Sequence, residues 1–198
     1  MTEIAAVAAQ VVQWLESHGI KYALIGGLAV SFRAMERFTK DIDLAIVVEN
    51  DQQAESVVRE ICSLGFQIEL LLEQQATDRL ATVRLVKQPG GSVLVDLLFA
   101  SSGIEAEIAA DAEPIEVFPK VVVRTARLHS LLAMKLLSAD PKTRPQDELD
   151  IRNLLQVARR DEIDTAERLV RLISERGYHR GKNLVEDFSR YKARFLGP

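Results

Sequence analysis

The sequence predicts an α+β fold: a mixed sheet flanked by helices, followed by a C-terminal helical bundle. Three observations carry this. Short runs rich in branched residues alternate with helical patterns up to Thr125. Beyond Arg124 the strand pattern stops and four helical stretches follow with short joints. The chain has 198 residues, 47% hydrophobic and 27% charged, which suits one globular domain or one domain with an appendage. The division expected is an α/β core over residues 1–125 and a helical subdomain over 126–198 packed on it.

The elements follow in order. Residues 3–18 carry Ile4, Val7, Val11, Trp14 and Leu15 at helical spacing, and Gly19 suits the C-terminal cap. Tyr22 to Ile25 is a short apolar strand ended by the turn Gly26-Gly27, and Leu28 to Met35 reads as helix. Asp41 to Val48 is a second strand, and Asp51 to Leu64 a helix capped by Asn50 or Asp51. Strands follow at 66–72, 81–86 and 93–99, the last two joined by the hairpin signal Gln88-Pro89-Gly90-Gly91. One further strand is expected within 115–123. Helices are expected at 128–138, 145–160, 163–176 and 183–195.

Composition excludes several classes. The single Cys62 can form no internal disulfide and no zinc site by itself. No stretch is long and apolar enough to span a bilayer, and the N-terminal segment lacks a basic n-region. A cytoplasmic location without membrane contact is therefore expected. His18, His129 and His179 are too scattered for a metal site. The net charge of −4 is uneven: Lys142 to the end holds 13 basic against 10 acidic residues, and the first 141 residues hold 12 against 19. Such a distribution suits a metal centre beside a polyanion-binding surface, or simply solvated helix faces.

Chemistry concentrates in three places before the tail. Gly26-Gly27 stands at a strand-to-helix turn, where glycine admits close backbone approach and a helix N-terminus offers N–H groups to phosphate. Taken alone, it is an ordinary turn. Asp41-Ile42-Asp43 puts two carboxylates on one face of a strand, a like-charge pair that hard divalent cations neutralise. A solvent-facing strand end is the plainer reading of that motif alone. Asp96 is a lone acid in Val93–Leu98, costly to bury without a cation or strong hydrogen bonds. A neighbouring strand would set it beside Asp41 and Asp43, and three such carboxylates suit two-metal nucleotidyl transfer.

In the tail, Lys135 shares a helical face with Leu128, Leu131 and Leu132, which suits an amine reaching into a cleft or snorkelling to solvent. Asp147 reads most simply as a first-turn acid after Pro145. Asp150 lies further in, on the side of Ile151 and Leu154.

The order Gly-Gly, Arg37-x-Thr39-x-Asp41-x-Asp43, then an isolated strand Asp resembles the nucleotidyltransferase superfamily of the DNA polymerase β type. With Lys135-x8-Arg144-x2-Asp147-x2-Asp150 added, residues 22–155 resemble its AbiEii/AbiGii toxin family. The resemblance implies a polymerase β-like sheet and transfer of a nucleoside monophosphate from an NTP to a hydroxyl, releasing pyrophosphate. It implies Mg²⁺ or Mn²⁺ held by Asp41, Asp43 and Asp96. Gly26, Gly27, Arg37, Thr39 and Lys135 would bind the NTP phosphates, and Asp96 or Asp150 would take the acceptor's proton. It also implies tRNA or another RNA as acceptor and a cognate antitoxin as partner. Arg176, Arg180, Lys182, Arg190, Lys192 and Arg194 would contact an RNA backbone or form a solvated surface. Two other readings stay open: a small-molecule, antibiotic-type O-nucleotidyltransferase with an acid-lined cleft, and a nucleotide- or partner-binding module without catalysis.

Overall fold

The computed structural model describes residues 2–36, 39–74 and 78–197. Seven strands build one sheet: β1 (Tyr22–Ile25), β2 (Asp41–Ile46), β3 (Phe66–Gln74), β4 (Arg79–Lys87), β5 (Leu94–Leu98), β6 (Glu113–Phe118) and β7 (Val121–Thr125). Their order across it is β3-β4-β5-β2-β1-β7-β6. The sheet is mixed, because β2 runs parallel to β5 and β1 parallel to β7 while the other neighbours are antiparallel.

Eight described helices flank it: α1 (Glu3–Ser17), α2 (Gly26–Arg33), α3 (Asp51–Ser63), α4 (Glu105–Ala110), α5 (Leu128–Ser138), α6 (Pro145–Val157), α7 (Arg160–Glu175) and α8 (Leu184–Leu196). In α1 the spacing of Val7, Val11 and Leu15 makes a buried stripe. The helix ends where Gly19 takes a positive φ and Ile20 N–H bonds back to Leu15 O, a Schellman-type close. Asn50 is the cap of α3, its side chain accepting from Gln53 N–H at 3.0 Å. No described helix is long and apolar enough to cross a membrane.

Four expectations need correction. The helix after Tyr22–Ile25 starts at Gly26, not Leu28, because the two glycines form its first turn, and it stops at Arg33. The single strand expected in 115–123 is the hairpin β6–β7. It folds at Pro119-Lys120, where proline suits the first turn position and Lys120 takes φ 66°. The helix over 145–160 breaks at Ala158, whose ψ of 134° leaves the helical region. There Arg159 N–H donates to Glu162 at 2.9 Å and opens α7. Helix α4 was not expected; its signal was Ser102-x-x-Glu105, in which Glu105 accepts from Ser102 N–H at 2.7 Å.

The two faces of the β2–β5–β4 region differ. On one face Ile42, Leu44, Val95, Leu97, Val83 and Leu85 are all 1% exposed or less. The other face carries Asp41, Asp43, Asp96 and Arg84 and stays partly open. Each branched side chain taken fully out of water contributes about 1.5–3 kcal/mol, so the buried face dictates which way the carboxylates point. One continuous apolar core runs from Val7 in α1 to Tyr191 in α8, so helical tail and sheet share it.

Candidate active site

The site is a row of charged side chains across three strands. The parallel register of β2 and β5 puts Asp43 opposite Asp96, and Asp41 lies two residues before it on the same face. Next in the row, the antiparallel register of β4 and β5 puts Arg84 opposite Asp96. The guanidinium takes both carboxylate oxygens, Nε to Oδ1 at 2.8 Å and Nη2 to Oδ2 at 2.7 Å. This is the cation that a lone acid in an apolar strand requires. Thr39 Oγ1 accepts from Asp41 N–H at 3.3 Å and steadies the start of β2.

On the other side of Asp43 stands the turn into α2. Ile25 is the register partner of Asp43, so Gly26 follows directly beside the carboxylate. A Cβ built on Gly26 would fall 1.9 Å from Asp43 Oδ2, and Gly26 has φ +69°. Both facts require glycine there. The first-turn N–H groups of α2 have no intrahelical partner and carry the positive end of the helix dipole, next to the acids.

Lys135 reaches the same region from α5. Its Nζ donates to Asp147 Oδ1 at 2.7 Å and stands 2.9 Å from Asp150 Oδ2. Asp147 Oδ2 accepts from Ser138 Oγ at 2.9 Å, and Asp150 Oδ1 from Gln146 at 3.2 Å. Asp147 and Asp150 are 5% and 0% exposed, so this is a buried charge cluster joining α5 to α6. Lys135 neither snorkels nor stands free.

These groups tune Asp43. Burial first, then the charge of Asp96, pushes its pKa up to about 7; Lys135 opposes the rise, Asp41 adds to it and Arg144 opposes it. A carboxylate so strained by like charge and held on an open sheet face is a strong cation site in waiting.

The family model of the nucleotidyl transferase AbiEii toxin, type IV toxin–antitoxin system, matches residues 12–196. The chain belongs to this family. It is a nucleotidyltransferase, and its fold agrees. A nucleotidyltransferase-like antigenic protein from Paracoccidioides brasiliensis superposes with a TM-score of 0.51 at 18% identity, over 94% of this chain and 92% of that one. ANT(2″)-Ia in complex with adenylyl-2″-tobramycin gives 0.57 at 16% identity, over 88% and 99%. The solution structure of the antibiotic-resistance factor ANT(2″)-Ia gives 0.53 at 18%, over 87% and 91%. At these identities the likeness is one of fold. No curated relative matches the chain.

The structure of this AbiEii-family chain thus brings Gly26, Gly27, Asp41, Asp43 and Asp96 to one end of the β1–β2–β5 strip, with Lys135 and Asp150 arriving from the helices. Arg37 lies outside the described residues. Sequence reading missed Arg84, although β4 and β5 fold about Gly90 and residues equidistant from it face each other. It also left Asp147 as a first-turn acid, and only the packing of α6 on α5 reveals its bond to Lys135.

The six tail cations face inward rather than outward. Arg176 pairs with Glu107 at 2.7 Å, Arg180 donates to Ser101 O at 2.9 Å, and Lys182 donates to Leu137 O and Ala139 O. Arg190, Lys192 and Arg194 pair with Asp187, Glu167 and Glu148. They rivet helices to the core, and as a group they do not make the open phosphate-binding surface expected from the sequence.

Proposed function

We propose that this chain transfers a nucleoside monophosphate from an NTP to a hydroxyl acceptor with release of pyrophosphate, as the toxin of a toxin–antitoxin or phage-defence pair. The observation that carries the reading is the row Asp43–Asp96 set against Gly26 at the start of α2. It combines a carboxylate pair with a backbone cradle that a single methyl group would fill.

The donor set fits a hard divalent cation such as Mg²⁺ or Mn²⁺. Asp41 and Asp43 would hold it. Asp96 could join them only by loosening its two bonds to Arg84. Among the described residues no three His, Cys, Asp or Glu side chains form a ready-made cage, which leaves coordination positions for triphosphate oxygens and water. The ion, when bound, neutralises charge on the phosphates.

The chain's own residues supply the remainder. The amides of Gly26 and Gly27 at the α2 N-terminus bind terminal phosphate oxygens, and Thr39 and Arg37 flank them. Lys135, held rigid by Asp147 and Asp150, stabilises negative charge as it moves onto pyrophosphate. The acceptor oxygen bonds to the α-phosphorus, the bond from that phosphorus to the bridging oxygen breaks, and pyrophosphate leaves. The acceptor's proton passes to Asp96, which sits in the row beside Asp43. Asp150 is the poorer candidate, since it is fully buried with Lys135 on one oxygen and Gln146 on the other.

RNA, tRNA included, is the acceptor class retained, on family grounds and not on the tail cations. The partner that a toxin of this family implies is its antitoxin, and the reaction is placed in the cytoplasm. The test is incubation with each α-³²P-labelled NTP, Mg²⁺ and total tRNA, beside a reaction without RNA and one with Asp43→Asn. Label on RNA, lost in the variant, supports the reading. Label on protein or on an added small hydroxyl compound moves the acceptor to that class. Tight NTP binding without transfer to any acceptor leaves a binding module and overturns it.

A further inference from the structure

The outer strand β3 is built to be covered. Of the ten large apolar side chains exposed among the described residues, four stand on it: Ile68 at 50%, Leu70 at 42%, Leu71 at 49% and Leu72 at 49%. They occupy both faces. Leu70 and Leu72 pair with Arg84 and Thr82 on the site face, and Leu71 pairs with Val83 on the other. Among the described residues β3 has β4 on one side and no strand on the other. An edge of this kind is normally blunted by lysine or proline, and Phe66–Gln74 contains neither. The register shifts fall on either side of Leu70–Leu72 and leave the triplet continuous.

Charge indicates what covers it. From Phe66 to Gln74 the ionisable residues are Glu69 and Glu73, with no cation. A second copy laid along the edge would bring four glutamates into one ladder with nothing to neutralise them. A nucleic acid would meet the same repulsion. A strand that alternates apolar with Lys or Arg would bury the leucines and pair the glutamates. We propose that β3 is the docking edge for an extended, basic and apolar segment of a different protein, which adds to the sheet as an eighth strand. Leu70 stands in the same cross-strand row as Arg84, Asp96 and Asp43, so the docked segment lies alongside the site face.

The experiment uses the full chain and a labelled peptide, Lys-Val-Arg-Val-Thr-Val-Lys, with a counterpart carrying Glu at the three basic positions. Fluorescence anisotropy is expected to show the basic peptide bound about tenfold more tightly, the sum of two modest rim pairs. The double variant Glu69→Lys/Glu73→Lys is expected to reverse the preference, and Leu71→Lys to weaken binding of the basic peptide. Hydrogen exchange is expected to slow in residues 67–73 when the peptide binds. Three results would overturn the proposal: an unchanged preference in the double variant, protection confined to other strands, or a dimer of the free chain in sedimentation that Leu71→Lys converts to monomer. The last would make the occupant a second copy.

Discussion

Gly26 and Asp43 share one small volume: a Cβ on the glycine would lie 1.9 Å from the carboxylate oxygen. The first prediction follows. Gly26→Ala is expected to lose transfer activity, because the methyl group must displace Asp43 Oδ2. The positive φ adds strain of about 1–3 kcal/mol, so the urea midpoint should fall as well. Titrating the variant with Mn²⁺ separates the two effects, since weakened ion binding reports on Asp43 itself.

Asp43→Asn is expected to behave in the opposite way on stability. The carboxylate is destabilised where it stands, by burial and by Asp96. Removing its charge should abolish turnover while leaving the metal-free melting temperature equal or higher. A melting temperature several degrees lower would show that Asp43 holds the fold rather than a ligand.

The same carboxylate makes stability depend on pH. Its pKa is about 7 in the fold against 3.8 as the ordinary value, so above the lower value the unfolded chain releases this proton first. Metal-free stability should therefore fall as pH rises from about 4 to about 7, as far as this group is concerned. Saturating Mg²⁺ should flatten or reverse that slope, because the bound ion favours the deprotonated form. Urea melts at several pH values, with EDTA or with Mg²⁺, check the sign, and Asp43→Asn should remove the difference.

Lys135→Met is expected to destabilise as well as inactivate. It leaves Asp147 and Asp150 buried without their ammonium, a loss of about 3–5 kcal/mol for a broken buried pair. Adding Asp150→Asn to it should restore part of the stability and none of the activity. Recovery of both would remove Lys135 from phosphate binding.

What could be read from the sequence was local in character. Periodicity located β1, β2, β5 and most helices because each buries one face or both. The turn at Gly26 and the pairing of Asp41 with Asp43 on one face follow from neighbours in the chain. The neighbour of Asp96 did not, since the parallel register of β2 and β5 depends on a crossover of some 50 residues. Arg84 was within reach through the hairpin's symmetry about Gly90. Asp147 and the tail cations were not, because a lysine on one helix and an aspartate on the next look like two solvated charges until the helices pack. Helix α4 is too short to show a period and betrays itself only through Ser102 and Glu105.

The tail's charges lead to a last point about the chain's architecture. Phe188 and Leu184 sit fully buried in the core that the sheet uses, and Arg176 and Lys182 bind α4 and the end of α5 from the connection before α8. The C-terminal third is therefore a closing wall, not an attachment. Cutting the chain after Thr125 would strip one side of the common interior and expose it, so no minimal catalytic fragment exists to be carved from this sheet.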